Sequence, residues 1–248
     1  MTRTLTRTHF HSSGLLRTLA DLALVDTAAS DHGFAQKLAA WIDFSSAINL
    51  CAVHTTGQPL PGPAVPASAT QAVLQAFAHA RAALEKALAQ AAAGKSRNPF
   101  PRPDAGDSLE DASAYAPYRK YHLAQQRELD DGIRTLRSQV REQVGKAAPR
   151  LRPLLALDAT LETALGEREG YLLAKIPTLL EKRFRQLRDA HRQSVAGTGA
   201  TDHPGLWTRP GGWLERYGQE LHTVLQAELD LRLQPSVGLI EALQHEPT

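Results

Sequence analysis

The residues most able to do chemistry lie in GDSLED, residues 106–111. There a serine follows a glycine and an aspartate in the order of a serine-hydrolase nucleophile block. Such a nucleophile needs an apolar strand ahead of it, so that a tight turn presents the hydroxyl, and a histidine to take its proton. Ser108 instead follows NPFPRPDA, whose prolines cannot sit in a central strand. The Asp-x-x-His and Gly-x-Asn-Asp blocks that accompany such a serine are absent from the chain. The expected role of Ser108 is to cap a helical turn, with Asp111 three positions on.

No other constellation replaces it. His9 and His11 have no third ligand at metal spacing, and neither His-Glu-x-x-His nor a cysteine pair occurs. Cys51 is the single cysteine, so no internal disulfide can form, and a cytosolic compartment is the simplest fit. In INLCAVH it reads as a small core residue. Neither phosphate-binding glycine motif is present. The expectation is a chain with no catalytic residue, no metal and no cofactor.

Charge offers a softer signal. The whole chain is nearly balanced, with 28 basic and 26 acidic side chains, which argues against a bulk polyanion binder. The excess is local. Residues 117–193 hold 16 Arg and Lys against 10 Asp and Glu, and residues 212–248 reverse the balance with six acids against two bases. Arg134, Arg137 and Arg141 recur at i, i+3, i+7, and Arg185, Arg188 and Arg192 repeat that spacing. Two roles compete for these stripes. One is a solvated face held by pairs such as Asp130–Arg134, Glu142–Lys146 and Glu181–Arg185. The other is a surface for a partner or for nucleic acid. Few aromatics accompany the arginines, so a stacking platform for single strands is not expected.

The elements that must position these residues are helices. Alanine-rich, aromatic-poor composition favours close-packed helices over sheets. Residues 1–54 read as a unit of short helices. In it Ser12 or Ser13 caps a face of Leu15, Leu16, Leu19, Leu22 and Ala23, and Phe34, Leu38, Trp41 and Ile42 form the next face. Residues 55–68 are a Pro-rich linker and 69–94 one helix, capped by Ser68 and stopped by Gly94. Residues 95–112 are a second Pro-rich linker.

Residues 113–193 carry two stripes joined by the turn at 145–153. The first is Leu129, Ile133, Leu136, Val140 and Val144. The second runs from Leu154 through Leu157, Leu161, Leu165, Leu172, Ile176, Leu180 and Phe184 to Leu187. The spacing predicts an elongated all-α helical bundle built on a long antiparallel helical hairpin, with Pro177 kinking the second arm. A loop at 194–211 leads to a last helix in 212–248 that Pro235 should end. Tyr118, Tyr121, Trp207 and Trp213 are large anchors for the core, with one or two available to an interface. The stretch free of charged residues, 44–80, contains Pro59, Pro61, Pro63 and Pro66, so no spanning helix and no membrane insertion is expected.

Several blocks together resemble a proteobacterial all-helical family of unknown function. They are LLRTLADLALVD, FAQKLAAWIDFSSAINL, YAPYRKYHLAQQRELDDGIRTLRSQVREQV, PRLRPLLALDATLETALGEREGYLLAKIPTLLEKRFRQLR and LHTVLQAELDLRLQPSVGLIEAL. The family has no established active site to carry over. The resemblance is to accessory proteins encoded beside MotA/MotB-like proton-channel and OmpA-like proteins, as in Zorya-type anti-phage defence. It implies a cytoplasmic, non-enzymatic adaptor whose partners are other protein subunits of those kinds. The alanine-rich stripes could also pair between copies of the chain as readily as within one. Nucleic-acid binding through the arginine stripes is the competing expectation.

Overall fold

The computed structural model describes residues 13–25, 41–56, 64–111, 114–198 and 202–246. Phe34 and Leu38, expected on an apolar face, lie outside the described residues, as do His9 and His11. The described secondary structure is entirely helical, as the apolar spacing predicts. In chain order the helices are α1 (Gly14–Asp21), α2 (Phe44–Thr56), α3 (Ala67–Ala92), α4 (Ala116–Ala147), α5 (Arg152–Leu173), α6 (Ile176–Thr198), α7 (Pro204–Trp207) and α8 (Trp213–Gln244). A 3-10 turn at Pro149–Leu151 joins α4 to α5.

The core forms around α8. Its stripe of Leu214, Leu221, Val224, Leu225 and Leu229 is fully buried, and the helix packs against α1, α3, α4 and α6. The expectation that Pro235 ends this helix is not met, since α8 runs through it to Gln244. A proline deletes its own N–H bond and crowds the preceding turn, at about 3 kcal/mol. Burial of Leu239, Ile240 and Leu243 beyond it, at about 2 kcal/mol each, outweighs that cost.

The α4 stripe holds as expected: Leu129, Ile133, Leu136, Val140 and Val144 are all buried. The second stripe does not behave as one arm. It divides between Leu173 and Ile176, where the helix stops and restarts with Pro177 in the first turn of α6. A proline there loses nothing, because first-turn N–H groups have no helical acceptor. The two parts then do different work. Ile176, Leu180, Phe184 and Leu187 of α6 enter the core, whereas Leu157, Leu161 and Leu165 of α5 stay half-buried. α5 packs chiefly on α2. Contacts across the bend still run antiparallel to α4, with Arg137 beside Asp158, Gln126 reaching the Leu173 carbonyl and Tyr115 donating to the Pro177 carbonyl.

Of the described N-terminal helices, α1 packs on α8 and α2 on α5. Ser13 caps α1 through Leu16 N, and Leu15 and Leu19 are buried while Leu16 faces solvent. Pro66 precedes α3 where Ser68 was the expected cap; Ser68 lies inside the helix, and no side chain caps its start. Gly94 does stop α3. At φ +77° it lets Lys95 N bond the Gln90 carbonyl and Gly94 N the Ala91 carbonyl, which satisfies the free carbonyls of the last turn. The segment from 95 to 111 is docked on the bundle. Phe100 N bonds the Ala91 carbonyl, and the Phe100 ring packs 5.4 Å from both Tyr118 and Tyr121. Cys51, expected in the core, is exposed on α2.

Candidate functional site

Helices α4, α5 and α8 enclose a cleft of about 850 Å³. Arg134, Arg137 and Arg141 line its α4 wall, as the i, i+3, i+7 spacing places them. The cleft does not leave them free. Arg137 is buried and forks onto Asp158 of α5, with its Nη2 at 2.5 Å and its Nε at 3.1 Å from the two carboxylate oxygens. Arg141 reaches the same Asp158 at 3.1 Å and Glu162 at 2.6 Å. Two arginines on two carboxylates leave no net charge, so the pairing fastens α5 to α4 where α5 brings no fully buried apolar side chain. Arg134 is exposed and pairs with Asp130 at 2.5 Å, the i,i+4 partner expected of a solvated face. Asp130 and Glu169 also hold Arg232 of α8.

The second stripe lies elsewhere, beside the loop that carries Ser108. Arg185 pairs with Glu181. Arg188 donates to the Asp111 carbonyl at 3.1 Å. Arg192 pairs with Glu110 at 3.4 Å and with Asp189 at 3.6 Å. The fold therefore does not join Arg134, Arg137 and Arg141 with Arg185, Arg188 and Arg192 into one basic surface. Each of the six has an oxygen partner within the chain.

Ser108 sits in an exposed turn. Its Oγ accepts from Glu110 N at 3.2 Å, and its carbonyl accepts from Asp111 N at 3.2 Å. The capping expectation is right about the hydroxyl, but the turn is not continued as a helix.

One polar cluster escapes the sequence reading. His122 and Gln126 of α4 both meet Glu228 of α8 inside the core. His122 Nε2 is 3.0 Å from Glu228 Oε1, and Gln126 Nε2 donates to Oε2 at 2.7 Å. His122 and Glu228 are 0% and 1% exposed. The signal was available. His122 falls between Tyr118 and Leu129 on the buried stripe of α4, and Glu228 sits between Leu225 and Leu229 on that of α8. Among the described residues no group of three His, Cys, Asp or Glu side chains could hold a metal.

The large aromatics are structural. Phe184 is ringed by Tyr115, Tyr118, Trp213 and Tyr217 at centroid distances of 5.1–5.5 Å. Burial pushes the Tyr115 and Tyr121 hydroxyls up to about 12, and raises those of Tyr118 and Tyr217 as well. Burial would also raise the Asp202 carboxyl, but hydrogen bonds from His191 and the Trp207 indole overcome it and hold Asp202 below its ordinary value. All four anchors read from the sequence, Tyr118, Tyr121, Trp207 and Trp213, are therefore core residues.

The exposed aromatics are different ones. Trp41 and Tyr171 flank Arg168 on the outer face of α5, with the guanidinium carbon 5.4 Å and 5.5 Å from the two ring centroids. Lys175 Nζ lies 4.4 Å from the Tyr171 centroid. Trp41, expected to face a core, is 39% exposed and Tyr171 is 57% exposed. No described helix is long and apolar enough to cross a membrane.

The family model described as Protein of unknown function (DUF3348) covers residues 1–245. No curated protein and no solved structure matches the chain.

Proposed function

The chain belongs to the DUF3348 family, and we propose that it is a non-enzymatic adaptor subunit that captures a partner protein on the exposed face of α5. The observation that carries this reading is the Trp41–Arg168–Tyr171–Lys175 stack. Trp, Tyr and Arg dominate binding energy at protein interfaces. Here they are exposed and already ordered by cation–π contacts, which lowers the entropy lost on docking. Leu172, beside Tyr171, and Ile48 on the neighbouring α2 add further exposed apolar surface. The internally paired arginines give less support to the competing reading, because a phosphate would have to displace a carboxylate or carbonyl at each of them.

The multiprotein assembly to test first is the one the resemblance implies, an anti-phage system with MotA/MotB-like and OmpA-like subunits. Tagged chain is captured from its native cells with and without nuclease, beside Arg168→Ala/Tyr171→Ala. The expected result is a protein partner that survives nuclease and whose recovery falls about tenfold in the double variant, with the thermal midpoint unchanged. Capture of nucleic acid alone, removed by nuclease and lost on charge reversal of Arg134, Arg185 and Arg192, would replace the adaptor reading.

A further inference from the structure

Along the helices, cations find carboxylates four residues away, as Arg134–Asp130, Lys146–Glu142 and Arg185–Glu181 do. Arg168 and Lys175 depart from this pattern. The neighbours of Arg168 at three and four positions are Ala164, Leu165, Tyr171 and Leu172. Those of Lys175 are Tyr171, Leu172, Thr178 and Leu179. No acid stands at any of these positions. Of the two glutamates flanking Arg168, Glu169 pairs with Arg232 of α8 at 2.8 Å. Glu167 stands about 100° round the helix axis and does not pair with Arg168. Among the described residues, neither the Arg168 nor the Lys175 side chain has a carboxylate or carbonyl partner.

What the two cations do contact is aromatic. Arg168 lies over Trp41 and Tyr171, Lys175 lies over Tyr171, and both cations are exposed. A ring attracts a cation through its face but offers it no lone pair, so the N–H donors stay open to an acceptor. A carboxylate matches the guanidinium fork with two parallel bonds and meets an ammonium as a point charge. Both cations sit within 5.5 Å of the same Tyr171 centroid, so one short segment can reach both. Leu172 at 41% exposure and Ile48 at 52% add apolar surface to the same face. A phosphate surface fits less well. Recognition of anionic lipid by charge draws on clusters of about 4–8 basic residues, and this face presents two.

We propose that the partner held on the outer face of α5 presents an acidic segment: two neighbouring carboxylates for Arg168 and Lys175, and an apolar side chain for Leu172. This rests on the adaptor reading and names the chemistry of its partner.

The probe is the acetylated and amidated peptide Glu-Glu-Phe-Glu-Glu, beside a counterpart with Gln for every Glu. Each is titrated into the 15N-labelled full chain while the indole N–H resonances are followed, that of Trp41 being identified by its loss in Trp41→Phe. The expected result is a saturable shift of Trp41 with the acidic peptide, none with the Gln peptide, and unmoved Trp207 and Trp213. Added salt should weaken the shift by screening the charges. Arg168→Gln, at an exposed position, should weaken the acidic peptide about tenfold. Arg168→Glu/Lys175→Glu should transfer the preference to a peptide with Lys for every Glu. An unmoved Trp41 resonance at about 1 mM acidic peptide overturns the proposal. So does equal binding of the Gln peptide, or a Trp41 response to phosphatidylserine vesicles in place of the peptide. If the captured protein is nevertheless lost with Arg168→Ala/Tyr171→Ala, the adaptor reading stands and only the acidic class falls.

Discussion

Glu228 holds two side chains of another helix from inside the core, where water does not reach it. Such a group stabilises through what its removal would leave behind. Glu228→Ala strands His122 Nε2 and leaves Gln126 only its 3.4 Å contact to the Leu173 carbonyl. It should therefore cost about 3 kcal/mol in urea unfolding. Glu228→Gln retains one acceptor and should cost less; equal losses would mean the contacts contribute little and only volume matters. At this scale the sequence was readable for leucines and poorly readable for polar residues. Leu180 and Leu225 announce burial by type. His122, Arg137 and Glu228 announce it only by falling in phase with apolar neighbours. Cys51 shows the converse: a residue type that is usually buried is exposed on α2.

Between elements, charge does part of the work that apolar packing does elsewhere. α6 and α8 are clasped by Arg183, whose Nη2 and Nε lie 2.6 and 2.7 Å from the two oxygens of Glu220, with Arg216 adding a third contact at 3.0 Å. Burial alone would raise the Glu220 carboxyl, but the hydrogen bond from Arg183 and its charge, joined by Arg216, outweigh it and hold Glu220 below its ordinary 4.5. A carboxyl lowered in the folded state releases its proton more readily there than in the unfolded chain. Its contribution is thus complete above 4.5 and fades as pH falls through the lower folded value. Thermal midpoints of the wild type and Glu220→Gln should differ by a constant amount at neutral pH and converge in acid. A gap that stays constant down to about pH 3 would assign the loss to shape and not to charge. The periodicity marked α4, α6 and α8 correctly. It overstated α5, because half-buried leucines on a two-sided helix have the same spacing as core leucines.

The whole molecule depends on one helix. α8 is in contact with α1, α3, α4 and α6, so the core is assembled around it. A chain ending at Gly212 should show no cooperative thermal unfolding by circular dichroism, because four helices lose their common apolar wall. A cooperative transition near the wild-type midpoint would mean that the earlier helices form a core alone. By itself the sequence determined the helical class, the apolar faces of α4, α6 and α8, the stop at Gly94 and the local Asp130–Arg134, Glu142–Lys146 and Glu181–Arg185 pairs. Each of these rests on interactions within about four residues, where helix geometry alone sets the distance. Tertiary structure decided the rest: that α4 lies chiefly on α8, that Arg137 turns inward to Asp158, that Trp41 and Tyr171 face solvent while Trp207 and Trp213 do not. Those outcomes compare faces far apart in the chain. An alanine-rich helix offers several faces of similar apolarity, so the choice among them is made by how the completed bundle fits together.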